Sequence, residues 1–127
     1  MAGRRAGRRT ALFLLYQWDV TGQPLTSLYE GEVDEFARGL AEAVCVRAPE
    51  LDAAITAAAE GWTADRLGAV ERNVLRIGTH ELETGSVPPE VAINEAVELA
   101  KEYCGAEAPK FVNGILGAVA HEREPTR

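Results

Sequence analysis

Ala92-Ile93-Asn94-Glu95-Ala96-Val97-Glu98-Leu99-Ala100-Lys101, followed by Lys110-Phe111-Val112-Asn113-Gly114-Ile115-Leu116, is the part of the chain whose periodicity decides the fold. In the first run Ile93, Ala96, Val97, Ala100, Tyr103 and Cys104 fall on one side of a helix, with Glu95, Glu98 and Glu102 mostly opposite. Pro88-Pro89 suits the helix start, where a missing N–H costs little, and Gly105 is expected to end the helix by taking positive φ. The second run opens a last helix on Phe111, Ile115 and Val119. Within it, Gly114 and Gly117 each lower helix propensity by about 1 kcal/mol, and close approach of another helix is the expected reason. Asn94 reads as an amide at the edge of the core.

The same period extends toward the N-terminus. Ala11, Leu12, Leu15 and Trp18 mark a first helix that Gly22 and Pro24 terminate. Val33, Phe36, Leu40 and Val44 mark a second, which Pro49 is expected to interrupt, so that Leu51, Ile55, Ala58 and Ala59 belong to a new helix. Thr63 reads as the N-cap of a central helix with Asp65 in its first turn, riding on Leu67, Val70, Val74, Ile77 and Leu82. Glu71, Arg72, Arg76 and Glu81 stand beside that stripe, where ionic side chains ordinarily form a solvated, mutually paired face. No strand-like alternation appears in the first half, and the chain reads as all-α.

At 127 residues the chain is the size of one domain and can bury a core without disulfides or metal. Twenty acidic against 13 basic residues give a net charge of −7, which repels nucleic acid over most of the surface and confines any RNA site to a local patch. Arg4, Arg5, Arg8 and Arg9, with no acidic residue before Asp19, supply one. If the first helix reaches back that far, Arg5 and Arg9 lie about 5–6 Å apart at Cβ, a spacing suited to successive phosphates. An N-terminal arginine cluster is also commonly a solubilising tail. Cys45 and Cys104 fall on apolar faces as small core residues, and no apolar run approaches the roughly 18 residues of a membrane span. A cytosolic protein without a leader or membrane partner is expected.

Pro88-x-x-Val91-Ala92-Ile93-Asn94-Glu95-Ala96-Val97-Glu98-Leu99-Ala100-Lys101, with Phe111-Val112-Asn113-Gly114-Ile115-Leu116, resembles the C-terminal half of the NusB family of bacterial transcription antitermination factors. The arginine-rich start running into Ala11-Leu12-x-x-Leu15-Tyr16-Gln17-Trp18-Asp19 is similar to that family's first helix. Trp62-x-x-Asp65-Arg66-Leu67-x-x-Val70-Glu71-Arg72-x-x-Leu75-Arg76-Ile77-Gly78-x-x-Glu81-Leu82 is similar to its central one. The resemblance implies two small helical bundles, about residues 5–60 and 62–122, packed into one compact domain over 1–127. It also implies binding to the boxA element of nascent ribosomal RNA together with ribosomal protein NusE, within an RNA polymerase antitermination complex that supports rRNA synthesis and maturation. On this reading Arg4, Arg5, Arg8, Arg9, Tyr103, Lys110 and Phe111 meet single-stranded RNA, and Tyr16, Glu71 and Arg72 meet the partner. The chain departs from the family where Ala108-Pro109 replaces a usual helix-starting Ser, where His80 replaces a common Tyr, and in a short segment at 25–32.

Catalysis requires a constellation that is missing here. His80 and His121 lack metal-ligand spacing, no Cys-x-x-Cys occurs, and neither a phosphate-binding glycine loop nor a serine nucleophile motif is present. The expectation is a binding protein with no catalytic residue, metal or cofactor. The alternatives are a stand-alone domain related to the N-terminal domain of an rRNA cytosine methyltransferase, and a protein-only helical scaffold.

Overall fold

The computed structural model describes residues 3–123, so the outer limits of the expected 1–127 domain lie outside the described residues. Five α-helices follow one another: α1 (Arg4–Thr21), α2 (Glu35–Ala58), α3 (Ala69–Thr84), α4 (Pro89–Tyr103) and α5 (Ala108–Glu122). Short 3-10 turns at Leu25–Ser27 and Ala64–Arg66 complete the ordered elements, and no strand occurs among the described residues.

Helix α3 is the hub, packing against α1, α2, α4 and α5. Its fully buried Val74, Leu75 and Ile77 join Leu12 and Leu15 of α1, Val44, Leu51 and Ile55 of α2, Ala96 and Ala100 of α4, and Val112 and Leu116 of α5 in one hydrophobic cluster. Gly78 makes the α3–α5 approach possible, since a Cβ there would lie 2.6 Å from Leu116 Cδ1 and 3.3 Å from Ala96 Cβ.

The helix ends follow local chemistry in most places. Gly22 closes α1 in the left-handed conformation, with its N–H bonded to the Trp18 carbonyl, and the Asp34 carboxylate caps α2 by accepting from the Ala37 N–H at 3.1 Å. Pro89 opens α4 as the sequence implies.

Five expectations are corrected. Pro49 lies inside α2, because Val44, Ala48, Leu51 and Ile55 form one buried stripe on either side of it while the ring itself is exposed; packing overrides the lost N–H. Thr63 and Asp65 belong to the 3-10 turn, and α3 starts later, with Gly68 at its N-cap. Helix α4 ends at Cys104 in an extended conformation, and Gly105 does not take positive φ. Gly114 and Gly117 have no atom within 4 Å of a built Cβ, and Asn94 is exposed, so neither expected packing role exists.

His80 sits between α3 and α2, where the Arg47 guanidinium is 2.8 Å from its Nδ1. Burial first, and the Arg47 charge second, hold the imidazole below its ordinary value of 6.5.

Gly78→Ala should destabilise the protein by about 1–3 kcal/mol, because Leu116 is itself fully buried and cannot swing clear. Gly114→Ala should stabilise it by about 0.5–1 kcal/mol, and denaturant unfolding of the two variants reads opposite signs. Since the folded state favours neutral His80, the unfolded chain takes up its proton first as pH falls. Stability should therefore decrease as pH drops from above 6.5 toward the depressed folded value, and His80→Gln should flatten that part of a melting-temperature profile.

Candidate nucleic-acid and partner interface

The arginine cluster is helical from Arg4 onward, so its side chains are positioned by α1 and not carried on a tail. Its four members have different fates. Arg8 is only 4% exposed and makes a bidentate pair with Glu81 of α3, Nε to Oε1 at 2.9 Å and Nη2 to Oε2 at 2.8 Å. Its Nη1 also lies 3.5 Å from Glu95 of α4. The expectation that it contacts a phosphate is corrected: Arg8 is a buried clamp. Arg5 is exposed and donates to Glu95 at 2.7 Å, which together with the Arg5 charge holds the Glu95 carboxyl below its ordinary range. Arg9 Nε is 3.4 Å from Glu102 Oε2 without a hydrogen bond, and Arg4 lies over the Phe36 ring at 5.0 Å. Helix α4 thus turns Glu95 and Glu102 toward the arginines of α1.

A second cluster joins α1, α2 and α3. Asp19 Oδ2 accepts from Arg72 Nε at 2.9 Å, Asn73 Nδ2 at 2.9 Å and Arg76 Nη1 at 3.1 Å, while Arg76 also makes a two-point pair with Asp52 of α2 at 2.7 Å. Burial raises the Asp19 carboxyl, but the donors and positive charges around it outweigh burial and leave it below its ordinary value. Arg72 spends its other donors on the carbonyls of Leu67 and Ala64. The half-buried side chain thereby staples the turn before α3. The solvated ionic face expected on α3 is in fact internal at Arg76 and Glu81, and Asn73, which the sequence reading passed over, is fully buried.

The aromatic residues divide into two sites. Tyr103 packs edge-on against Phe13 of α1 with centroids 5.1 Å apart, and Phe111 packs edge-on against Trp62 at 6.5 Å. Tyr103 and Phe111 therefore do not form one platform. Phe111 separates two grooves: one of about 430 Å³ lined by Trp62, Arg66, Glu71 and Glu107 among others, and one of about 670 Å³ that includes Lys110. Near Tyr103, burial first and the Glu71 charge second push the thiol of Cys104 up to about 11. Sequence reasoning also missed Phe13 and Val20. With Tyr16 they recur at helical spacing off the inner stripe of α1, and all three are exposed, at 47%, 57% and 40%.

These features define a helical binding protein that displays charge and aromatic rings on packed helices. The NusB family model matches residues 5–121. The chain is 46% identical over 120 residues to the transcription antitermination protein NusB of Rubrobacter xylanophilus, covering 89% of this chain and 86% of that protein. Among solved structures, T. maritima NusB superposes with a TM-score of 0.85 at 34% identity, covering 98% and 94% of the two chains. A NusB solved with NusE and double-stranded RNA superposes with a TM-score of 0.82 at 33% identity, covering 94% and 96%. The chain belongs to the NusB family of transcription antitermination factors.

Arg8→Ala should cost about 3–5 kcal/mol, because it strands the Glu81 carboxylate inside the protein. Arg4→Ala should change stability by no more than about 0.5 kcal/mol, and chemical denaturation of both variants separates clamp from surface charge.

Proposed function

We propose that this chain binds the boxA element of rRNA operon transcripts jointly with ribosomal protein NusE, as part of an RNA polymerase antitermination complex supporting rRNA synthesis and maturation. The observation that carries the reading is the organisation of α1. Its first turns carry Arg4, Arg5 and Arg9, and its middle carries the exposed Phe13, Tyr16 and Val20, which supports an RNA-facing end and a protein-facing stripe on one helix. A NusB bound to both NusE and RNA supports the pairing of the two ligands.

Arg4, Arg5 and Arg9 contact phosphates, with Tyr103, Lys110 and Phe111 further along the RNA path. Arg5 and Arg9 exchange Glu95 and Glu102 for phosphate when RNA binds. Those carboxylates remain close by and repel the incoming strand, which keeps RNA affinity low until a basic partner joins. Tyr16 anchors that partner, and Glu71 provides a charge opposite to its own.

Replacing Arg4, Arg5 and Arg9 by Ala while retaining Arg8 should flatten the dependence of log affinity on log salt by about 0.7 per arginine, or roughly 2 in all. The species to titrate with single-stranded boxA RNA is the complex with NusE; an unchanged slope places the RNA elsewhere. Glu71→Lys and Tyr16→Ala should each weaken NusE binding in calorimetric titration while leaving unfolding within about 0.5 kcal/mol. Unchanged affinity in both variants would remove this face from the interface.

A further inference from the structure

Trp62 is 51% exposed, an unusual setting for the largest apolar side chain. Its position is nevertheless fixed. Gly61 turns the chain with φ of 80°, the Trp62 N–H bonds to the Ala59 carbonyl at 2.9 Å, and the ring packs edge-on against Phe111. Beside it opens the groove of about 430 Å³, within the range of roughly 300–1,000 Å³ that takes small aromatic ligands.

The groove stays open because small residues line it. Gly68, Gly105, Ala106 and Ala108 all contribute to the wall. Gly68 and Gly105 neither adopt positive φ nor have an atom within 4 Å of a built Cβ, so the protein's own packing does not demand glycine at either. Arg66 lies in the same wall and forms no ion pair among the described residues, while the neighbouring Asp65 is hydrogen-bonded toward Thr63. Glu71 and Glu107 outnumber the Arg66 charge there, which disfavours a run of phosphates but suits a single base, whose amino edge can donate to the Glu107 carboxylate. Lys110 stands across Phe111 in the adjoining groove, where the strand would continue.

We propose that the groove between Trp62 and Phe111 receives one unstacked base of bound single-stranded RNA, with Trp62 as the stacking surface and Arg66 on the adjacent phosphate. The inference rests on the reading that this chain binds RNA with its partner, and it assigns to that binding two residues outside the arginine cluster.

The test uses the complex with NusE and single-stranded boxA RNA. RNA should quench tryptophan emission of the unmodified chain and leave the Trp62→Phe variant, which retains Trp18, largely unquenched. Trp62→Ala should weaken RNA binding roughly 5- to 150-fold, with most of the loss recovered by Trp62→Phe. Arg66→Ala should flatten the salt slope by about 0.7. Gly105→Leu fills the groove and should weaken RNA binding without lowering the unfolding temperature. If Trp62→Ala and Gly105→Leu bind RNA like the unmodified chain, the inference is overturned while the proposed function stands. Loss of NusE affinity alone, with RNA affinity unchanged, also overturns it and makes the groove a protein seat. Failure of the unmodified complex to bind RNA overturns the proposed function, and this inference with it.

Discussion

The pairing of Arg8 with Glu81 sets the arrangement of α1 on α3. Both groups are nearly excluded from water, at 4% and 2% exposure, so each carries a desolvation cost that only its partner and matching hydrogen-bond geometry can offset. The bidentate contact is directional as well as attractive, and a shift of either helix by one residue would separate the guanidinium from the carboxylate. Glu95 adds α4 to the same centre. A cluster that looks in sequence like a solubilising tail is thereby tied to three helices, and the outer arginines inherit the rigidity of the inner one.

The Asp19 cluster acts at the other end of α1. There a single carboxylate oxygen collects donors from Arg72, Asn73 and Arg76, and Arg76 passes beside the Trp18 ring to reach Asp52. Two polar centres along one helix, on either side of the fully buried Leu12 and Leu15, fix both its position and its rotation about its own axis. That rotation decides what remains outside. With Ala11, Leu12 and Leu15 inward, Phe13, Tyr16 and Val20 have no inner surface to cover and stay on the outer face. The exposed stripe is a geometric consequence of satisfying the ionic centres and the core together.

Helical periodicity made the elements legible, because apolar residues three and four apart report a buried face wherever they occur. It also held the answer at Pro49: the stripe Val44, Ala48, Leu51, Ile55 keeps its spacing across the proline, and reading the ring as a break gave a local rule more weight than the pattern. The site was less legible, for a physical reason. Charge type is visible in sequence, but whether an arginine meets solvent or a buried carboxylate depends on pairs such as Arg8–Glu81, 73 residues apart. Arg8 and Arg5 look alike in sequence and differ completely in burial. The setting of Trp62 was not legible in sequence, because part of its groove, Gly105 to Ala108 and Phe111, comes from a distant part of the chain.

The acidic balance of the chain bears on how such a protein uses RNA. A net charge of −7 opposes any polyanion at long range, and the carboxylates nearest the arginines are already engaged with them. On the proposed reading, binding exchanges an internal ion pair for a phosphate contact, and the net gain per arginine is smaller than for a free cation. Two terms can restore affinity: a basic partner that offsets the field, and stacking, which is insensitive to charge. Both would use surfaces that lie outside the arginine cluster, on the outer face of α1 and around Phe111. On that reading an acidic protein with paired arginines would gain selectivity, because RNA engaging the cluster alone would have to break the Arg5–Glu95 and Arg9–Glu102 pairs and recover little free energy.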